Sequence, residues 1–489
     1  MSRPKLAVHG HFYQPERRNP FSGEIAPQAG AAPYRDWNAR IDAECYKPNA
    51  ERGNLRHISF DLGPTLAGWL ETHDASTHQG FVGSDMPDGA DGIDAPERGN
   101  AMAQAYHHAI LPLASLADRR TEIRWGLRDF ELRFDRRPTG LWLPETAVDL
   151  PTLRILAGEG IHYTILAPWQ AADGRLDPRR PYRVDLGSRR SIVVVFYDAA
   201  LSAAASFESD ATMNADAFAR DRVLPRIAGP SFADGTPRIA LIATDGELYG
   251  HHQKFRDLFL ARLVNPGGEL PDRGFDITSV GRMVGGIPAS AFPLAQIAER
   301  TSWSCHHGVL RWTGECPDAA DGRWKGPLRV ALERLATAVD TVAAGLAANF
   351  MGPDALWQAR DEYVDVVFGA ETAEDFARSR LPLASPEQRD CFLTLLEAER
   401  WRLSMFASDG WFWGDPIRPE TKQVLLCAAR AARLIDGAAA TDLEDRLLDD
   451  LSLFGSPSRR IDGAGIYAEA LIEAGQPVSR PRRKDVSIR

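Results

Sequence analysis

Two acidic residues follow apolar segments of the chain, where they could carry out acid–base chemistry. Glu145 ends the segment Leu-Trp-Leu-Pro-Glu, and Asp245 ends the segment Ile-Ala-Leu-Ile-Ala-Thr-Asp. Cleavage of a glycosidic bond with retention of configuration needs one carboxylate to attack the anomeric carbon and a second carboxyl group, about 5–5.5 Å away, to protonate the leaving oxygen. Acidic residues at strand-to-helix turns more commonly cap the next helix, so both interpretations apply here. Glu247 is a second candidate acid, because residues two apart on a strand face the same side.

Histidine, glutamine and tryptophan side chains are concentrated in a few clusters. His9, His11 and Gln14 follow the first apolar segment and offer hydrogen-bonding groups suited to sugar hydroxyls. Tryptophan rings can stack on the apolar faces of sugar rings, although each tryptophan taken alone is a common core residue. The candidate substrate-binding residues from these clusters are His9, His11, Gln14, His108, Trp142, His251, Trp303, His307, Trp411 and Trp413, together with Glu247.

A metal site is a further possibility that the residue pattern raises. Cys305 and Cys316 lie eleven positions apart, beside His306 and His307. No Cys-x-x-Cys pair accompanies them, and such pairs are typical of structural zinc sites. We therefore predict no metal site and no cofactor.

The elements that must position these residues alternate between strand and helix. Apolar runs at 5–9, 139–145, 161–168, 191–198 and 238–245 each end in polar residues or proline. Helix-like segments at 149–159 and 215–227 lie between them, and this alternation predicts a parallel sheet or barrel. Polar residues at several strand ends favour the barrel, whose active site is built at one face. We assign residues 1–290 to this catalytic domain.

The last third of the chain has a different pattern. Amphipathic segments at 327–350, 386–406 and 420–435 predict an α-helical domain over 291–475. The basic tail at 476–489 is predicted to be disordered. The Gly- and Asp-rich stretch at 83–100 is predicted to be a long loop that is either a lid or a tolerated insertion.

Composition restricts the class of partner. The formal net charge of −10 disfavours nucleic acid and anionic membranes, which attract basic surfaces. No segment has about 18 consecutive apolar residues, and the N-terminus lacks a signal-peptide pattern. Five scattered cysteines are unlike a disulfide framework, so a cytoplasmic location is expected. The oligomeric state is not indicated.

The ordered motifs of the chain resemble glycoside hydrolase family 57, in particular a branch of bacterial members with an extra C-terminal region. The residues that carry this resemblance lie in the family's order at 9–15, 99–113, 125–130, 140–149 and 245–252. They extend over about the first 290 residues.

The resemblance implies an incomplete (β/α)7 barrel followed by an α-helical C-terminal region that closes part of the cleft. It also implies a retaining enzyme acting on α-glucans, either a hydrolase or a glucanotransferase of amylase, 4-α-glucanotransferase or branching type. Glu145 resembles the family's nucleophile and Asp245 its acid/base. His11 and Gln14 resemble the motif that holds the sugar, although here Phe12 and Tyr13 separate them. The last motif, which supplies an acidic and an aromatic residue to the site, is matched by residues 408–413, with Asp409, Trp411 and Trp413.

Two other classes of protein fit the residues less well. A metal-dependent polysaccharide deacetylase or mannosidase-like enzyme would use the histidines and Asp245 as metal ligands. A non-catalytic glycan-binding protein would have no need of both Glu145 and Asp245. The first measurement that separates these classes is product formation from α-glucans with and without the metal chelator EDTA.

Overall fold

The computed structural model describes residues 3–85, 99–174, 176–264 and 273–478. The central part of the predicted loop at 83–100, and residues 479–489 of the predicted disordered tail, lie outside the described residues. The chain forms two compact units. The first takes its residues from 1–14, 27–106 and 111–306, and the second from 15–26, 107–110 and 307–489.

The first unit is built around parallel strands. Strand order in the larger sheet is β4-β3-β2-β1-β8, with β9 also paired to β1, and the smaller sheet has the order β10-β6-β7-β5. The described strands are β1 Lys5–Phe12, β2 Ser59–Leu62, β3 Ala101–Gln104, β4 Leu141–Trp142, β5 Tyr163–Leu166, β6 Tyr182–Gly187, β7 Arg190–Phe196, β8 Ile239–Asp245, β9 Asp276–Thr278 and β10 Leu294–Ala295.

Backbone hydrogen bonding joins the two sheets at two places. A parallel bridge joins Gly140, just before β4, to Tyr163 of β5. The backbone N–H of Asp198, just after β7, donates to the carbonyl of Leu241 in β8 at 2.7 Å. Seven strands, β1 to β5, β7 and β8, therefore follow one another around a closed path, which is the arrangement of an incomplete (β/α)7 barrel.

The interior of this barrel is a single apolar cluster to which most of the seven strands contribute. Side chains from different strands pack there at 3% exposure or less, as expected of a filled barrel core. They include Ala7, Met102, Trp142, Ile165, Val195 and Leu241.

Helices of the first unit connect the strands. Asp149 and Asp198 cap two of them, accepting from the backbone N–H of Thr152 at 2.9 Å and of Leu201 at 3.0 Å. These helices are α1 Trp37–Ile41, α2 Lys47–Glu51, α3 Pro64–His73, α4 Ala75–Val82, α5 Leu116–Phe134, α6 Leu150–Gly158, α7 Ala199–Phe207, α8 Ala215–Phe218, α9 Leu224–Ile227, α10 Arg256–Val264 and α11 Val280–Val284.

The second unit, over the residues described, is helical. Its 19-residue helix α16 begins with a capping box, in which the Ser385 hydroxyl accepts from the backbone N–H of Gln388, and the Gln388 side chain accepts from the N–H of Ser385. The helices of this unit are α12 Lys325–Ala347, α13 Ala355–Glu362, α14 Val364–Phe368, α15 Ala373–Arg380, α16 Pro386–Ser404, α17 Asp409–Phe412, α18 Pro419–Ala439, α19 Leu443–Leu451 and α20 Gly463–Glu473.

The α/β fold followed by a helical region is thus confirmed. The predicted end of the catalytic domain is near residue 290, whereas the first compact unit runs on to residue 306. Within the described ranges, no helix combines the length and apolar character that crossing a membrane requires.

Candidate active site

The predicted catalytic carboxylates lie at the carboxyl ends of two barrel strands, β4 and β8, that are not adjacent in the sheet. Glu145 follows β4, Asp245 is the last residue of β8, and His11 lies near the end of β1. In the paired strands, His11 is aligned with Asp61 of β2 on one side and with Asp245 of β8 on the other. The first unit therefore gathers these polar groups at the face where barrel enzymes carry their chemistry.

The backbone at Glu145 has an unusual conformation. Glu145 has φ +56° and the next residue, Thr146, has φ +47°, so both lie in the left-handed region that favours glycine. Such a residue costs of order 1–3 kcal/mol and persists only where its surroundings hold it. The two together turn the chain sharply after β4 and present the Glu145 side chain at the strand end.

Gln170 holds this turn in place. Its Oε1 accepts from the Thr146 hydroxyl and from the Ala167 N–H, both at 2.8 Å. Its Nε2 donates to the carbonyl of Thr146 at 2.8 Å and to the Thr301 hydroxyl at 3.3 Å. Gln170 is fully buried, so these bonds are shielded from water.

The Glu145 carboxylate is half-buried and receives two hydrogen bonds on the same oxygen. The indole N–H of Trp303 donates to Oε2 at 3.0 Å, and the Ser304 hydroxyl donates to Oε2 at 2.5 Å. Burial, with a contribution from the charge of Asp245, raises the pKa of Glu145 to about 6, although the Ser304 and Trp303 hydrogen bonds oppose this rise. Glu145 is therefore mainly ionised at neutral pH.

A buried carboxylate on β2 joins the two histidines of β1. Asp61 Oδ1 lies 3.0 Å from His9 Nε2, and Asp61 Oδ2 lies 2.8 Å from His11 Nδ1. Burial alone would lower both histidine pKa values. At His11 the charge of Asp61 and its hydrogen bond outweigh burial and raise the pKa to about 9, whereas at His9 burial prevails and the pKa is lowered. His11 is therefore the protonated partner of Asp61, and His9 is neutral.

The Trp142 ring packs against both of these histidines. Its ring stacks on His9 at 4.7 Å and on His11 at 5.1 Å between centroids, and it meets Trp303 edge-on at 5.0 Å. Trp142 is fully buried. Its contacts orient His11 and Trp303, and its predicted role in binding substrate stays a prediction.

Asp245 and Glu247 have different environments. Asp245 is exposed, whereas Glu247 is 5% exposed. Oε1 of Glu247 accepts from the Tyr46 hydroxyl at 2.5 Å, from the Tyr13 N–H at 3.3 Å and from Gln14 Nε2 at 3.4 Å. Burial, followed by the charge of Asp245, raises the pKa of Glu247 to about 7.

Helix capping does not account for the two candidate catalytic residues. The side chain of Asp245 makes no capping bond to the short helical turn that follows it, and the donors to Glu145 are Trp303 and Ser304. Asp149 and Asp198, at comparable turns, do cap helices. The structure thus separates acidic residues with a structural partner from those facing the site.

The remaining predicted residues lie elsewhere in their units. In the first unit, His251 Nδ1 is 2.5 Å from Glu44 Oε2. In the second unit, His108 Nδ1 is 2.7 Å from the Ser408 hydroxyl, and His307 Nδ1 is 3.2 Å from Asp318 Oδ2.

The other candidates of the second unit are on or beside α17. Asp409 begins this helix, Trp411 is fully buried within it, and Trp413 follows it with 44% of its surface exposed. The substrate-binding roles of the second-unit residues stay predictions.

Four residues of the site were not predicted from the sequence. Only Asp61 has a sequence pattern that could have identified it, because an acidic residue between apolar residues is unusual in a buried strand. Tyr46 and Gln170 are brought in by folding from distant parts of the chain. The four are Tyr46, Asp61, Gln170 and Ser304.

The chain is similar to known proteins both in sequence and in fold. The family model described as glycosyl hydrolase family 57 matches residues 78–282, which include Glu145 and Asp245. Residues 78–282 therefore resemble glycosyl hydrolase family 57. A second model, described as a domain of unknown function (DUF3536), matches residues 321–479 and so covers most of the helical region after the family 57 part. No curated protein sequence matches the chain.

Solved structures of similar fold include enzymes of family 57. An exo-type maltose-forming amylase from Pyrococcus sp. ST04 has a TM-score of 0.71 at 14% identity, covering 96% of this chain and 88% of that one. A family 57 branching enzyme from Pyrococcus horikoshii has a TM-score of 0.56 at 14% identity, with 96% and 94% covered. A 4-α-glucanotransferase from Thermococcus litoralis has a TM-score of 0.53 at 14% identity, with 87% and 60% covered. At these identities the similarity establishes the fold, and the predicted family resemblance is confirmed.

Proposed function

We propose that this protein is a retaining glycoside hydrolase or transglycosidase that acts on α-glucans, with Glu145 as nucleophile and Asp245 as acid/base. The observation that carries the proposal is the Glu145 turn, in which two consecutive left-handed residues present a carboxylate that is close enough to feel the charge of Asp245 at the end of β8. The match of residues 78–282 to the family 57 model supports it. The similar structures, described as an amylase, a branching enzyme and a glucanotransferase, support the substrate class.

In the first step, Glu145 attacks the anomeric carbon. Both hydrogen bonds to its carboxylate go to Oε2, so Oε1 is the oxygen that forms the glycosyl ester. The bond between the anomeric carbon and the leaving oxygen breaks, and Asp245 gives that oxygen its proton. The protonated His11 contributes positive charge that favours the ionised form of Glu145 before attack.

In the second step, the ionised Asp245 takes a proton from water or from an acceptor hydroxyl. The activated oxygen attacks the anomeric carbon, and Glu145 leaves as a carboxylate, so two inversions restore the original configuration. Attack by water gives hydrolysis, and attack by a sugar gives transfer or branching.

Exposure favours Asp245 over Glu247 as the acid/base. An acid that serves a leaving group and then a water must be reached from the substrate side, and Asp245 is exposed there. Glu247 is buried, and three donors bind one of its oxygens. We assign Glu247 a positioning role, in which it fixes Tyr46 and Gln14 beneath the substrate.

The first test is product analysis with maltooligosaccharides and soluble starch. We expect wild type to form new oligosaccharides, and Glu145→Gln and Asp245→Asn to lose at least about a thousandfold in turnover, as when a covalent nucleophile or its acid partner is removed. Asp221→Asn, at an exposed ion pair with Arg220, is the matched control that should keep full activity. Wild type that binds these glucans yet forms no product would refute an enzymatic role.

A second test distinguishes the two candidate acids. The Asp245→Ala variant should accumulate a glycosyl ester on Glu145, visible by mass spectrometry, when given an aryl α-glucoside with a good leaving group. Azide needs no general base, so it should restore turnover of this variant and give the α-glycosyl azide. If Glu247→Ala shows the rescue and Asp245→Ala does not, the assignment of the acid/base is reversed.

We also propose a cytoplasmic location. All five cysteines lie in the described residues and none forms a disulfide, which is consistent with a reducing compartment. Measurement of the protein in cytoplasmic and exported fractions of its native cells tests this directly.

A further inference from the structure

Four side chains with metal-binding chemistry meet in the stretch 305–318. Cys305 and His307 are separated by one residue, Cys316 and Asp318 are likewise separated by one residue, and residues 308–315 connect the two pairs. Gly308, with φ +79°, turns the chain directly after His307. A short helical turn at Leu310–Trp312 follows and leads the chain back to the second pair. The four residues therefore form two pairs that are joined by an eight-residue connection, 308–315.

The ligand atoms of the four residues are close enough to share one ion. All of them lie within 4.8 Å of one another. Nδ1 of His307 lies 3.8 Å from Sγ of Cys316 and 3.2 Å from Oδ2 of Asp318. A tetrahedral zinc ion with bonds of about 2.0–2.3 Å separates its ligand atoms by roughly 3.3–3.8 Å. The distances from His307 Nδ1 to Cys316 Sγ and to Asp318 Oδ2 are therefore close to the ligand–ligand distances of such a tetrahedron.

We propose that Cys305, His307, Cys316 and Asp318 form a zinc site. Two thiolates and an imidazole favour zinc over magnesium or calcium, which prefer oxygen ligands. Both cysteines are 1% exposed, while His307 and Asp318 are exposed. The two sulfur atoms are therefore shielded from water. An ion could enter from solvent on the side of His307 and Asp318.

Four protein ligands indicate a structural ion without an open catalytic position. This assignment makes His307 a metal ligand, in place of the substrate-binding role predicted from the sequence. Zinc binding does not depend on the proposed function.

The test is metal analysis of the reduced full-length protein, after removal of metal by chelator and addition of zinc sulfate alone. We expect one zinc per chain, with a melting temperature that falls on chelation and returns on zinc addition. With cobalt(II) in place of zinc, sulfur-to-cobalt charge-transfer absorption should appear. Absence of stoichiometric zinc, or thiol titration that finds Cys305 and Cys316 joined in a disulfide, would overturn the proposal.

Variants identify the ligands. Cys316→Ala should lose zinc and the charge-transfer band, and Cys391→Ala is the cysteine control that should keep both. Because Cys316 is buried, the exposed ligands supply variants that leave the fold intact: His307→Asn and Asp318→Asn should each weaken zinc binding by more than the about 10–100-fold that changes in supporting residues cause. Unchanged zinc affinity in these two variants would overturn the proposal.

The Glu145→Gln variant separates this inference from the proposed function. It should bind zinc normally while making no product. If the wild-type protein binds zinc but is inactive on every glucan, the zinc site is supported and the proposed enzymatic function is refuted. The two proposals can therefore be tested separately.

Discussion

At the scale of single residues, the ionisation of Glu145 sets the expected acid limb of activity. A nucleophile must be ionised, so kcat/KM should fall about tenfold per pH unit below the pKa of about 6. The Ser304 hydroxyl stabilises the ionised form, so its loss in Ser304→Ala should raise that pKa and move the acid limb to higher pH. A hydrogen bond to a charged group is worth about 1.5–3 kcal/mol, which corresponds to a shift of about 1–2 pH units.

The pH profile of kcat/KM on a maltooligosaccharide measures this shift. Ser452→Ala, in the second unit, is the control, since its hydroxyl bonds locally to the carbonyl of Asp449. An acid limb that stays in place in Ser304→Ala would show that a group other than Glu145 governs it.

The shared carboxylate of Asp61 determines the charge of His11. In Asp61→Asn the attraction to Asp61 is lost and only the charges of Asp245 and Glu247 still oppose burial, so the His11 pKa should fall well below about 9. Titration of the histidine side chains by NMR measures this directly, with the half-buried His57 as an internal reference. A His11 that still titrates near 9 in the variant would contradict the assigned pairing.

The residues that do the proposed chemistry were readable in the sequence, but their partners were not. Glu145 and Asp245 could be predicted because each of them ends an apolar segment. The bond from Tyr46 to Glu247 joins residues 201 positions apart, and nothing in the sequence around Tyr46 marks that residue for the site. Long-range pairing of this kind depends on the closed barrel, which local patterns do not encode.

At the scale of elements, the turn after β4 depends on Gln170. Gln170→Ala would leave the buried carbonyl of Thr146 without its donor and should lower stability by about 2–4 kcal/mol, from loss of several buried hydrogen bonds. Turnover should fall more than KM changes, because the Glu145 carboxylate is displaced and the sugar-binding groups are not. Gln170→Glu keeps the acceptor for Thr146 and Ala167 and should recover part of the activity. Equal kinetics for both variants and wild type would dismiss the positioning role.

Apolar composition, more than strand length, explains which strands could be predicted from the sequence. β4 has two residues and β5 has four, yet both lie in predicted apolar runs, at 139–145 and 161–168. β2 and β3 have four residues each, and β2 contains Ser59 and Asp61, so it lacks the continuous apolar run that signals a buried strand. Overlooking β2 and overlooking Asp61 are therefore the same omission.

At the scale of the whole molecule, each unit has its own stabilising interior. In the second unit, Glu399 of α16 is fully buried, 3.1 Å from Arg360 of α13, and Arg402 of α16 pairs with Asp340 of α12 at 2.7 Å. Burial, then the charge of Asp340, raises the pKa of Glu399 to about 7. These ion pairs tie three helices together.

Removing one partner of this buried pair should be costly. Arg360→Met is expected to destabilise the protein by about 3–5 kcal/mol. The loss should grow as pH rises above about 7, because a buried Glu399 left with only the longer contact to Arg402, at 3.9 Å, is tolerated when protonated and penalised when ionised. Arg378→Met, at an exposed pair with Glu374, should cost less than about 1 kcal/mol. Chemical denaturation at several pH values provides the comparison, and equal losses in the two variants would contradict this account.

Whole-chain patterns predicted the order of the architecture well. The change from alternating strand and helix to long amphipathic helices follows from periodicity alone. The segments 15–26 and 107–110 belong to the second unit although they lie early in the chain, and no local signal distinguishes them. Unit membership is a property of the folded contacts, so sequence position is an incomplete guide to it.

The left-handed pair at Glu145 and Thr146 has a consequence for the history and engineering of this protein. Glycine would occupy either position with less backbone strain, by about 1–2 kcal/mol. A glycine at residue 145 would relax the turn but remove the proposed nucleophile, so we expect stability and activity to compete at this position. Selection for heat resistance alone would drive the turn toward inactive sequences. A library screened only by melting temperature should therefore enrich catalytically dead variants at this turn, and activity must be selected alongside to retain it.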